Sequence, residues 1–126
     1  MARGRVFHDG TLSRPQLDHP ECVAVHSDGS VWCGGERGQI YRVSPDGAWL
    51  EEVANTGGFV LGIAFAPDHS VLYACDLAAR AVFSVDVSTG AVAKFADGFV
   101  TPNFPAVAPD GTVYVSDSNE QGTPGG

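Results

Sequence analysis

Three stretches of this chain repeat one pattern at a nearly fixed interval. They are "PECVAVHSDGSVWCGG" from Pro20, "VLGIAFAPDHSVLYACD" from Val60 and "PNFPAVAPDGTVYVSD" from Pro102. Each reads as an apolar strand, a turn built on aspartate, and a second strand carrying an aromatic residue. The turn aspartates are Asp28, Asp68 and Asp110, spaced 40 and 42 residues apart. A period of that length constrains the fold more than any other feature, because each unit must cover its apolar faces with its neighbours.

The remainder of the first two units also matches. "GQIYRVSPDGAWLEEV" follows the first pair and "RAVFSVDVSTGAVAKF" the second. Each predicts a third strand (Gln39 to Val43; Ala81 to Val85), a turn containing glycine (Asp46-Gly47; Thr89-Gly90) and a fourth strand (Trp49 to Val53; Val92 to Phe95). The strands are short and rich in Val, Ile, Tyr and Phe, and Asp-Gly supplies the positive φ of a tight hairpin. No stretch holds a helical period over three turns. The reading is all-β: a β-propeller of four-stranded antiparallel blades, about two and a half of them. Blade 1 is placed at 20–54, blade 2 at 60–96 and the start of blade 3 at 102–118. The "GRVFHDG" segment, around 5–7, is expected as a strand of the closing blade. A β-sandwich is the alternative, but it has no reason to repeat at a fixed interval. Open blade edges imply either that this is part of a larger ring or that the chain self-associates through them.

Composition narrows the partners. The formal net charge is −8 with only 7 Lys plus Arg, which repels phosphate backbones and anionic lipid surfaces. Neither nucleic acid nor membrane is expected as a partner. The longest apolar run, Phe59 to Ala66, is far short of a spanning helix, and no secretory signal is read at the N-terminus, so a cytoplasmic location is expected. Cys22, Cys33 and Cys75 share no metal-binding spacing and are read as buried thiols.

Glu21 stands out, because a carboxylate at the entrance of an apolar strand is costly to bury. Seven residues before each turn aspartate lie Glu21, Leu61 and Asn103. These are equivalent positions, at the start of the innermost strand of successive blades. In a propeller they ring the mouth of the central channel. An acid and a carboxamide converging there are hard oxygen donors suited to Ca²⁺, and less readily to Mg²⁺, Mn²⁺ or Zn²⁺. The alternative is a solvated Glu21 and an Asn103 that caps a turn.

These same segments resemble the gluconolactonase and regucalcin (senescence marker protein) family of six-bladed propellers. Strictosidine-synthase-like proteins share a similar pattern. The resemblance runs over residues 20 to 118. It implies a divalent ion, often calcium, on the channel axis, held by a first-blade Glu that Glu21 matches and by Asn and Asp residues of later blades. Asn103 matches one such Asn. It also implies a small-molecule lactone or ester substrate and hydrolase activity. Where family enzymes often read Arg-x-Asn-Asp, this chain reads Thr101-Pro102-Asn103-Phe104. Phe104 suits a more apolar substrate. The rival functions are a non-catalytic propeller that serves as a binding platform and a strictosidine-synthase-like enzyme without metal.

Other residues are read structurally. Asp76 and Asp117 hold nearly equivalent strand ends and are expected to bond turn backbone. Trp32, Tyr73 and Tyr114 recur on the second strand and are expected to pack between blades. His69 stands where the other repeats have glycine and is read as a turn residue. Ser116 and Ser118 lack a triad arrangement, and Gly34-Gly35 lacks the context of a phosphate loop.

Overall fold

The computed structural model describes residues 3–118, which form ten strands and no helix. β1 (Val23–Val25), β2 (Val31–Gly34), β3 (Gln39–Val43) and β4 (Leu50–Asn55) make one sheet in that order. β5 (Val60–Phe65), β6 (Val71–Asp76), β7 (Ala81–Asp86) and β8 (Val92–Asp97) make a second. β9 (Pro102–Val107) and β10 (Val113–Asp117) pair as a third, two-stranded sheet. Every pairing is antiparallel between sequential strands. These are the units the repeat marks out. β5 packs against both β1 and β9, so the sheets follow one another through their first strands.

The hairpins explain why the repeat begins with aspartate. Asp28, Asp68 and Asp110 each accept the backbone N–H two residues on, from Ser30, Ser70 and Thr112. The carboxylate thereby imitates a turn of backbone. Gly29 (φ 90°) and Gly111 (φ 91°) follow in left-handed conformation. In the second hairpin His69 (φ 61°) fills that place. One extra residue is also accommodated there, since Ala66 N–H reaches Val71 O where His26 reaches Ser30 and Ala108 reaches Thr112. Counted from those bonds, Trp32, Tyr73 and Tyr114 are equivalent.

Donation to an ionised carboxylate favours the charged form. The Ser30 hydroxyl is the main reason that Asp28 is lowered to about 2, with its own N–H, His26 and Arg42 adding to the effect. Because the folded value lies below the ordinary ~3.9, this contribution to stability is present above pH ~4 and is lost as pH falls through about 2. Ser30→Ala is expected to move the Asp28 titration upward, read by carboxyl ¹³C shifts. An unmoved Asp28 would contradict the assignment of Ser30 as the leading cause.

The core lies between the first two sheets. Trp32 and Ile40 from one meet Val60, Ile63, Leu72, Ala74 and Val85 from the other, all nearly inaccessible. Gly34 is required there, since a methyl group at that place would strike the Val60 side chain. A second cluster, Cys33, Tyr41, Val43 and Leu50, occupies the opposite face of the first sheet, where Leu17 from the N-terminal segment packs. The expected inter-blade role therefore holds for Trp32. Tyr73 differs: it meets Phe95 of its own sheet edge-on, at 4.8 Å between centroids. Tyr114 is 64% exposed, because no further sheet among the described residues lies against it.

The N-terminal segment is expected as a strand of a closing blade, and no such blade is among the described residues. Arg5 to Phe7 form no strand. A strand requires a hydrogen-bonded ladder, and among the described residues none lies alongside them. The segment is instead held by His8, whose Nδ1 lies 2.8 Å from the Gly47 carbonyl, and by Phe7, whose backbone crosses Gly47 closely.

Candidate functional site

The strand starts that carry the three positions singled out by the repeat lie side by side, in contact through Cys22 and Gly62. Cys22 donates its thiol to the carbonyl of Leu61 at 3.1 Å. The backbone at Gly62 runs against Asn103 and Phe104, so closely that a methyl group on Gly62 would stand 2.7 Å from the Asn103 carbonyl. Residues 21–22, 61–62 and 103–104 thus line up across the starts of three successive sheets. The sequence gives the physical reason. The inner strands carry small side chains at Cys22 and Gly62, which permit close approach of the next strand.

Glu21 precedes β1 and its side chain is 41% exposed. Its carboxylate lies 3.5 Å from Nε2 of His19, whose Nδ1 lies 3.4 Å from Glu36. Asn103 is an exposed residue of β9. Phe104 is half-exposed, with its Cδ2 over Gly62, and its N–H is donated to the Ser116 hydroxyl at 3.1 Å. Among the described residues no group of three or more His, Cys, Asp or Glu side chains is placed to hold a metal ion. The donor chemistry of Glu21 and Asn103, one carboxylate and one amide oxygen, fits a hard cation. The number falls well below the six to eight oxygens calcium takes.

The cysteines are unsuited to nucleophilic work. Burial is the main cause that raises Cys22 to about 11 and Cys33 and Cys75 to about 12. At neutral pH all three are thiols, and none is paired.

Asp76 is the most fully satisfied polar residue near this end of the sheets. It is completely buried. It accepts the Phe59 N–H at 3.0 Å, the Ala79 N–H at 2.9 Å and the Thr56 hydroxyl at 2.6 Å. It thereby pins the crossing from β4 to β5. Asp117 repeats the device at the next crossing, accepting from Val100 at 3.1 Å and Thr101 at 2.7 Å. The backbone-bonding role expected of both aspartates is what the structure contains. Its importance was legible only in part: the 41-residue spacing marks the pair, but nothing in the sequence says that one is sealed from water.

A family profile described as the SMP-30/Gluconolactonase/LRE-like region matches residues 23–120. The chain belongs to that family. Strictosidine synthase-like 6 of Arabidopsis thaliana is 33% identical over 111 residues, covering 82% of this chain and 30% of that protein. A gluconolactonase from Xanthomonas campestris superposes with a TM-score of 0.70 at 21% identity, over 81% of this chain and 42% of that one. The WD40 β-propeller domain of Doa1 superposes with a TM-score of 0.64 at 19% identity, over 79% of this chain and 33% of that one. At those identities the two structures establish the fold: a partial β-propeller. The chain spans less than half the length of each of these proteins.

Proposed function

We propose that this member of the family supplies Glu21 and Asn103 to a divalent-cation site in a propeller that hydrolyses lactones or related esters. The alignment of residues 21–22, 61–62 and 103–104 across three sheet starts carries the reading. It supports a reading in which the acid and the amide at equivalent strand starts serve one site, in the family whose name includes gluconolactonase.

Glu21 contributes the negative charge a cation needs, and its exposure leaves it accessible without a burial penalty. Asn103 adds a neutral oxygen. Phe104, which lies over Gly62, would offer an apolar wall that favours substrates less polar than a sugar acid. A divalent cation bound there would polarise a carbonyl. With two protein oxygens it keeps water in most of its coordination places, so calcium affinity of the 126-residue chain is expected near the millimolar range.

Calorimetry with Ca²⁺, Zn²⁺ and Mn²⁺ tests this. Weak binding that drops about tenfold or more in Glu21→Gln is expected, a loss of about 1.4 kcal/mol. Absence of binding, or binding unchanged in Glu21→Gln, removes the proposal. The 33% identity to a strictosidine synthase-like protein favours a metal-free alternative, which the same result would advance.

A further inference from the structure

On the hairpin side of the sheets, opposite the strand starts, two histidines from successive units interlock. The Ser27 N–H of the first hairpin donates to Nδ1 of His69 in the second at 2.8 Å. Nε2 of His26 lies 3.0 Å from the His69 carbonyl. Nδ1 of His26 accepts the Asp28 N–H at 3.0 Å. These partners fix the tautomers. In this arrangement each Nδ1 is an acceptor, which leaves the ring proton on Nε2. Around them His26, Phe65 and Trp32 make edge-to-face or stacked contacts, and Phe65 stacks on His69 at 5.2 Å.

The two rings respond differently to a proton. A proton on Nδ1 of His26 finds the Asp28 carboxylate 3.2 Å away, so one contact replaces another. A proton on Nδ1 of His69 meets the Ser27 N–H, two donors face to face. That bond is lost, while the contact of His26 Nε2 with the His69 carbonyl still joins the hairpins. We propose that His69 is a protonation-sensitive latch between the first and second hairpins, its bond to the Ser27 N–H made when the ring is neutral and broken when it is charged.

The surrounding charges act on this balance. Asp28 and Asp68, in the two hairpins, favour the cation and so favour opening. Arg42, 3.4 Å from Asp28, offsets part of that, and Glu51, 3.5 Å from Arg42, offsets Arg42. Asp86, beside the Val87 that bonds Ser70, is engaged by Ser88 and Thr89 of its own turn. The histidine also adopts a left-handed φ of 61° where the equivalent hairpins have glycine. Its place is thus explained by the contact it makes rather than by turn geometry.

The repeat supplies its own control. His69→Gly installs the residue found in the other two hairpins, suits the left-handed φ of 61° and removes the imidazole. In the 126-residue chain, Ser27 amide protection, corrected for intrinsic exchange, is expected to fall about tenfold between pH 8 and pH 5. The fall should track protonation of His69 Nδ1, followed by imidazole ¹⁵N shifts. In His69→Gly the amide should be unprotected at both pH values. The proposal is overturned if His69 protonates while Ser27 protection holds. It is equally overturned if His69 stays neutral to pH 5, or if His69→Gly retains the pH dependence.

Discussion

Replacing Asp76 with alanine is expected to destabilise the chain by about 4 kcal/mol, measured as a shift in urea-unfolding free energy. The carboxylate is sealed from solvent and satisfies two backbone N–H groups and the Thr56 hydroxyl. Alanine removes the acceptor of the part-buried Phe59 and Ala79 N–H groups and of the Thr56 hydroxyl, and leaves a void at a position sealed from solvent. The lost acceptors cost about 1–3 kcal/mol each at most. The isosteric Asp76→Asn should cost far less, about 1–2 kcal/mol. Its carbonyl oxygen keeps the two backbone bonds, and its amide turns toward Thr56, whose hydroxyl reverses to accept. The gap between the two variants separates loss of acceptors from loss of charge. Equal costs would show that charge, not the bonding pattern, matters. Gly58 belongs to the same lock, since a methyl group there would overlap the Asp76 carboxylate.

The second large effect concerns Trp32. It is 2% exposed, sits between the first two sheets and donates its indole N–H to Ser30 at 2.9 Å. Trp32→Ala should cost about 3–5 kcal/mol through the lost burial and the cavity left behind. Tyr114 holds the equivalent position in the third unit yet is 64% exposed, so Tyr114→Ala should change stability by less than about 0.5 kcal/mol. Comparable losses at the two positions would mean that the third sheet is covered in solution, for instance by a second copy of the chain. Sedimentation of the same samples would show that directly.

Much of the architecture could be read from the chain alone, and for a specific reason. An aspartate two residues before a serine or threonine, with glycine or histidine between, is a local hydrogen-bonding device that works wherever it occurs. Repeated at Asp28, Asp68 and Asp110, it fixes hairpins, and the even spacing of hairpins fixes the number of strands per unit. Local chemistry of this sort needs no partner from elsewhere. Arg5 to Phe7 are unpaired among the described residues, because pairing is not local. Phe7 and its neighbours have the pattern, but a pattern becomes a strand only beside another.

The candidate site divides in the same way. That Glu21, Leu61 and Asn103 are equivalent follows from counting residues, and their lining up follows from the small side chains at Cys22 and Gly62 that let the strands approach. Counting did not reveal that Glu21 faces His19, or that Phe104 lies across Gly62 of the neighbouring sheet. Nor did it show that Asp76 is sealed while its counterpart Asp117 is exposed. Those depend on which surfaces meet when one sheet packs on the next, and burial is a property of the pair of surfaces, not of either sequence segment. The chain's own chemistry determined the hairpins, the period and the propeller class. Only the packing of sheet on sheet decided which equivalent residues became core, which became locks and which were left at the rim.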